Sequence, residues 1–161
     1  MRYALIRSMD VSNGDKGLMC SIFFQGCNFR CKGCWNSCTW DFNGGKEFTK
    51  EVENKVIELV NNEHIVGLSI LGGEPFHQPP KEILSFIKNV KLQTNKCIYL
   101  WTGYDFEEIP NEYKECLNYI DAIICGRFVE ELKDYTLKLR GSRNQIIWQK
   151  ENGKWKKNGE M

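Results

Sequence analysis

The sequence predicts a single α/β domain built as an incomplete (β/α) barrel of about five to six strands, and three observations lead there. Apolar, β-rich runs alternate with amphipathic helical runs, the pattern of parallel strands joined by crossovers. Each presumed strand ends in a small or polar motif: residues 27–34, Gly72 to Pro75, Thr102-Gly103 and Gly126-Arg127. Ligand sites in parallel α/β folds lie at the carboxyl ends of strands, so these motifs are expected on one face. Finally, a closed eight-fold barrel takes about 250 residues, and 161 residues allow only an open fraction of one.

Taken in order, RYALIRSMDV and MCSIFF read as two strands of a hairpin joined through residues 12–17, whose Asn13-Gly14 and Gly17 offer positive backbone angles. The second strand feeds a cysteine-rich loop. Thr49 is a helix N-cap candidate, followed by Val52, Val56, Leu59 and Val60 on one helical face. HIVGLSILGGEP is a short apolar strand stopped by a double glycine, and Pro79-Pro80 opens a helix with Ile83, Phe86, Ile87 and Val90 inward. CIYLWTGY repeats the strand-then-turn pattern, EYKECLNYI is a short helix candidate, and DAIICGRF is a strand ending in glycine. LRGSRNQIIWQ reads as a loop entering a last strand. The basic tail, about residues 149–161, reads as an Asn-Gly turn and a solvated end carrying Lys150, Lys154, Lys156 and Lys157.

Composition narrows the function. The 22 basic and 21 acidic residues leave a net charge of +1, so no global field favours nucleic acid or a membrane surface. MRYALIRSMD has no apolar core of a signal peptide, and no run approaches the roughly 20 apolar residues of a membrane span. A cytoplasmic protein is expected. Eight cysteines in that reducing setting point to metal binding ahead of disulfides.

The sharpest motif is FFQGCNFRCKGCWN, which sets Cys27, Cys31 and Cys34 in a Cys-x3-Cys-x2-Cys array within one loop. Thiolates are soft ligands that favour iron-sulfur clusters, zinc or copper(I). Three of them satisfy three irons of a four-iron cubane and leave the fourth able to bind a small molecule. The competing reading is a structural zinc site with Cys38 as fourth ligand, although zinc sites usually pair two close cysteines with a distant second pair. Cys97, Cys116 and Cys125 read as small buried hydrophobes and Cys20 as a strand residue. His64 and His77 are isolated and receive no role.

The cysteine array is similar to the signature of the radical S-adenosylmethionine (SAM) enzymes. More closely, the chain resembles the activating proteins of anaerobic (class III) ribonucleotide reductase, through QGCNFRCKGCWN, Gly72-Gly73-Glu74-Pro75, Trp101-Thr102-Gly103-Tyr104, CGRFVEELKD and LRGSRNQ. These blocks follow the family order and cover most of the chain. In one departure from the superfamily pattern, Gly33 stands where an aromatic commonly precedes the third cysteine, and the aromatic is displaced to Trp35.

The resemblance implies a radical SAM type of partial barrel holding one [4Fe-4S] cluster on Cys27, Cys31 and Cys34. SAM would lie beside it, with its ammonium met by backbone carbonyls freed at Gly72 and Gly73 and by Glu74, its adenine near Gly33, Cys34 and Trp35, and its ribose near Thr102. Arg140, Ser142, Arg143 and Asn144 are candidates for the SAM carboxylate or a partner, or form a solvated loop. The implied reaction cleaves SAM reductively to methionine and a 5′-deoxyadenosyl radical, which takes hydrogen from a glycine of the large reductase. An electron donor such as flavodoxin or ferredoxin would feed it. Alternatives are activation of another glycyl radical enzyme, a small-molecule reaction such as deazapurine synthesis, or a zinc-stabilised binding module. Activases with extra clusters need a cysteine-rich insert after the first loop, and residues 39 to 96 contain no cysteine.

Overall fold

A computed structural model describes residues 1–158 of the chain. Eight strands join one mixed sheet: β1 (Arg2–Asp10), β2 (Met19–Phe24), β3 (Lys46–Glu47), β4 (Gly67–Gly72), β5 (Cys97–Thr102), β6 (Ala122–Cys125), β7 (Ile146–Glu151) and β8 (Lys154–Asn158). The order across the sheet is β3-β1-β2-β4-β5-β6-β7-β8, so it is open, with β3 and β8 at its edges. The four central strands β2, β4, β5 and β6 are mutually parallel, while the flanking pairs are antiparallel. Two strands more than expected arise because the two-residue β3 pairs with β1 and the tail forms β8.

The central strands are covered on both faces, which explains their nearly unbroken apolar runs. One face packs on α1 (Lys50–Val60) and α2 (Pro80–Thr94), where Ile22, Phe24, Leu68, Ile70, Ile98, Leu100 and Ile123 meet Val56, Val60, Ile83, Phe86, Ile87 and Val90. All four inward residues expected of α2 are its buried ones. Truncating Phe86 to alanine in this packing costs about 3–5 kcal/mol. Thr49 caps α1 by accepting the Val52 N–H at 3.2 Å, a contact that contributes about 1 kcal/mol. Glu53 of α1 is also buried, because Lys50 and Asn89 both reach its carboxylate. The EYKECLNYI segment is a 3-10 helix, Asn111–Asn118, rather than an α-helix.

The other face is covered by loops. A row of register partners, Ser21, Ser69 and Tyr99, donates its hydroxyls to Asp10, to the Asn13 carbonyl and to Asp15 respectively. The segment between β1 and β2 therefore lies across the sheet. It is not a tight turn, and within it only Gly17 has a positive φ, +146°. Asp10 anchors the segment: burial raises its carboxyl, but hydrogen bonds from Ser21, Asn13 and Ser12 outweigh this and hold it below the usual carboxylate range. Leu139 closes the same face nearer the top, its carbonyl accepting the Trp101 indole N–H at 2.7 Å.

The tail departs from its sequence reading. Asn152 and Gly153, with φ of 50° and 76°, make the expected turn, but residues 154–158 then pair along β7 as β8. Aromatic packing accounts for it: Phe106 stacks on Trp148 at 4.4 Å and meets Trp155 at 5.7 Å, and Lys150 and Lys157 lie over Trp155 and Trp148. Residues 159–161 of the expected tail lie outside the described residues.

Candidate functional site

At the carboxyl ends of the parallel strands lies a cavity of about 620 Å³, part of it open to solvent. β2 runs into the cysteine loop through Gly26, whose φ is +116°. The loop is closed at its base by Gly26 N–H donating to the Thr39 carbonyl at 2.7 Å and Cys27 N–H to the Trp40 carbonyl at 3.1 Å. That closure turns Cys27, Cys31 and Cys34 toward the cavity, and all three line it.

Two of the three thiols feel opposing influences. Burial raises the Cys27 thiol, opposed by backbone hydrogen bonds from Phe29 and Arg30. Burial and the neighbouring Cys34 raise Cys31, opposed by a backbone hydrogen bond from Phe128 and by the Arg127 charge. N–H groups aimed at sulfur stabilise thiolates and tune the potential of an iron-sulfur cluster. Three soft donors around one cavity, two of them with such bonds, fit a [4Fe-4S] cluster. Among the described residues no three His, Cys, Asp or Glu side chains gather closely enough for a single metal ion. Cys38, the fourth ligand of the zinc reading, is exposed. Cys20, Cys116 and Cys125 are buried, their thiols raised chiefly by burial, and Cys97 donates to the Val66 carbonyl.

The end of β4 is laced to the cysteine loop. Glu74 N–H donates to the Gly26 carbonyl at 2.9 Å, Gly73 N–H to Thr39 Oγ1 at 2.6 Å, and Asn36 Nδ2 to the Gly72 carbonyl at 3.0 Å. The double glycine is required by this closeness. A Cβ on Gly72, with φ of +150°, would sit 2.4 Å from the Phe24 carbonyl oxygen, and one on Gly73 would sit 2.6 Å from that of Gly26. Gly72, Gly73, Glu74 and Thr102 all line the cavity, as their strand-end positions predict.

Glu74 and Thr102 are nevertheless committed to each other. Glu74 is 2% exposed; its Oε1 accepts from Phe76 N–H and Thr102 Oγ1, and its Oε2 from Gly103 N–H at 2.7 Å. The carboxylate thus ties the end of β4 to the end of β5. Burial lifts Glu74 to about 7 despite these bonds. The Thr102 hydroxyl also accepts from Tyr104 N–H, which leaves it one lone pair and no proton for a further contact.

Gly33 and Trp35 are brought elsewhere. Gly33, φ +75°, faces the Glu130 side chain. Trp35 is 64% exposed and stacks on Tyr135 with centroids 5.6 Å apart; it does not line the cavity, whose Phe128 ring lies 6.5 Å from its own. In LRGSRNQ the polar groups hold the loop itself: buried Ser142 accepts from Val129 N–H, Asn144 donates to the Arg127 carbonyl, and Arg140 reaches the Gln145 carbonyl.

Several contributors carry no sequence signal beyond position. Arg127, immediately after the glycine that ends β6, lines the cavity and lies 4.4 Å over the Phe29 ring. Phe29 in turn packs on His77 and Tyr104. His64 is exposed beside Glu63, but His77 is hydrogen-bonded through both ring nitrogens.

A family model described as a 4Fe-4S single cluster domain matches residues 12–148. An anaerobic ribonucleoside-triphosphate reductase-activating protein of Salmonella typhi is 38% identical over 151 residues, covering 91% of this chain and 97% of the relative. Its counterpart in Escherichia coli (strain K12) is 36% identical over the same length. That of Enterobacteria phage T4 is 38% identical over 159 residues, covering 97% and 99%.

Proposed function

Because the chain belongs to the family of anaerobic ribonucleoside-triphosphate reductase-activating proteins, we propose that it installs a glycyl radical on such a reductase. It does so with one [4Fe-4S] cluster held by Cys27, Cys31 and Cys34 and with SAM seated in the adjoining cavity. The observation that carries this reading is that the three cysteines and the Gly72 to Glu74 turn line one cavity. The open sheet is the incomplete barrel of the radical SAM type, and its working compartment is the cytoplasm.

The cluster, with an electron from a flavodoxin- or ferredoxin-like donor, supplies the reductive cleavage of SAM to methionine and a 5′-deoxyadenosyl radical. The chain's own residues bind and orient. Carbonyls of the Gly72-Gly73 turn would accept the SAM ammonium, and the Arg127 guanidinium, which lines the same cavity, would receive its carboxylate. Leu71 and Trp101 give the cavity apolar surface that excludes water. The cavity's solvent-open side admits the glycine-bearing segment of the reductase.

Electron paramagnetic resonance on a mixture of reduced activase, SAM and reductase tests the proposal. The doublet of a glycyl radical is expected, and it must vanish when the reductase glycine is alanine. SAM turnover on a purine precursor without a protein partner would overturn it.

A further inference from the structure

The cysteine loop is pinned at its base, but its first half, Asn28 to Cys31, has a separate support. Asn28 N–H donates to His77 Nδ1 at 3.1 Å, across 49 positions of sequence. An Nδ1 that accepts carries no proton, so the ring hydrogen sits on Nε2, 3.1 Å from the Tyr104 hydroxyl. His77 is itself fixed, ending the 3-10 turn Pro75–His77 with its N–H on the Glu74 carbonyl at 3.0 Å. Its ring lies 4.7 Å from that of Phe29, which also meets Tyr104 at 4.9 Å and the Arg127 guanidinium at 4.4 Å. Burial, then the Arg127 charge, lowers the His77 pKa and favours the neutral ring this pattern needs.

We propose that His77 is a positioning residue for the cysteine loop. It accepts the Asn28 N–H and donates to Tyr104, holding Asn28 so that the next two backbone N–H groups, of Phe29 and Arg30, face the Cys27 sulfur. Arg30 takes the left-handed conformation there, φ 51°, which a non-glycine residue holds only when its surroundings impose it. His77 holds the chain two residues earlier from the β4 side, Trp40 lies under the Arg30 guanidinium at 5.6 Å, and Tyr104 ties the same imidazole to the end of β5. The inference rests on the cluster reading for its consequence, and on the Asn28, His77 and Tyr104 hydrogen bonds for its mechanism.

The test begins on cluster-free protein. The chain has two histidines, so nitrogen-15 spectra of the ring nitrogens are assignable with one His64→Asn variant. His77 must show the Nε2–H tautomer. His77→Ala should speed amide exchange at Asn28, Phe29 and Arg30 by about fivefold to tenfold, the worth of one net hydrogen bond. His77→Asn, whose Oδ1 stands where Nδ1 stood, should restore slow exchange, whereas His77→Gln should not. In reconstituted protein, chelator should bleach the cluster several-fold faster in the alanine and glutamine variants than in the parent or the asparagine variant. A proton on Nδ1, or exchange and bleaching indifferent to His77→Ala, would overturn the proposal. If His77→Ala does not fold, the parent tautomer and the asparagine-glutamine contrast still decide it. A parent that takes up no iron overturns the cluster reading instead, leaving the exchange contrast to judge the loop.

Discussion

Thr102 Oγ1 donates a 2.8 Å hydrogen bond to Glu74 Oε1, joining the carboxyl ends of β4 and β5 through a buried carboxylate. With Phe76 N–H also on Oε1 and Gly103 N–H on Oε2, every hydrogen-bond partner that Glu74 has here is a donor.

At pH 8, Glu74→Gln should therefore lower stability, because its amide nitrogen must face a donor. The cost expected of an unsatisfied buried group is about 1–3 kcal/mol, read as a lower urea midpoint with unchanged m-value. Unchanged stability with weakened SAM binding would return Glu74 to the role of direct ligand.

The pH dependence follows with opposite signs at two carboxyls. Glu74 is raised from 4.5 to about 7, so its contribution is full below 4.5 and is lost as pH rises through 7. Asp10 is lowered from 3.8, so its contribution is present above 3.8 and lost as pH falls through its folded value. Urea titrations at pH 5 and pH 8 should show the first loss in the parent and not in Glu74→Gln. Asp10→Asn should flatten the acid limb.

Serine substitution separates the cysteines. Cys27→Ser, Cys31→Ser and Cys34→Ser should each lose the cluster or its SAM-dependent activity after anaerobic reconstitution, while Cys38→Ser keeps both. Iron and sulfide analysis with the visible spectrum reads the result. Retention in Cys31→Ser together with loss in Cys38→Ser would contradict the assignment.

Gly73→Ala should shift the β4 turn away from the cysteine loop, since its Cβ meets two backbone carbonyl oxygens, those of Gly26 and Phe24, at 2.6 and 2.8 Å. The backbone cannot yield cheaply there, so the melting temperature should fall even in cluster-free protein. A normal melting curve would show that the turn has room.

Trp35→Ala removes an exposed ring. It should change stability by about 0.5 kcal/mol or less and leave SAM affinity unaltered in calorimetry of the reconstituted protein. A large loss of SAM affinity would restore the adenine contact inferred from the displaced aromatic.

Local signals were the legible ones. The parallel strands, the Thr49 cap, the apolar stripe of α2 and the convergence of the strand-end motifs all follow from neighbours within a few residues. What stayed hidden depends on partners far along the chain. Glu74 looks like a cavity carboxylate until Thr102 and Gly103 arrive from β5, and His77 looks isolated until Asn28 and Tyr104 meet it. The lysine-rich tail hides β8, whose Trp155 finds Phe106 across 49 positions. Residues 12–17 carry turn composition, yet they are held by hydroxyls on two strands, those of Ser69 and Tyr99.

Those hydroxyls check alignment. Ser21, Ser69 and Tyr99 stand side by side only if β2, β4 and β5 pair in one register, because a slip of a single residue would send a strand's hydroxyl to the helix face. The segment from Asp10 to Asp15 then acts as a gauge laid across the finished sheet, satisfied in full only by the correct pairing. Since Asp15 and Tyr99 are 84 positions apart, this latch can close only where the exit of β1 and β5 share one sheet. A chain misaligned at β2 would leave Asp10 buried without Ser21, and one misaligned at β5 would leave Asp15 without Tyr99.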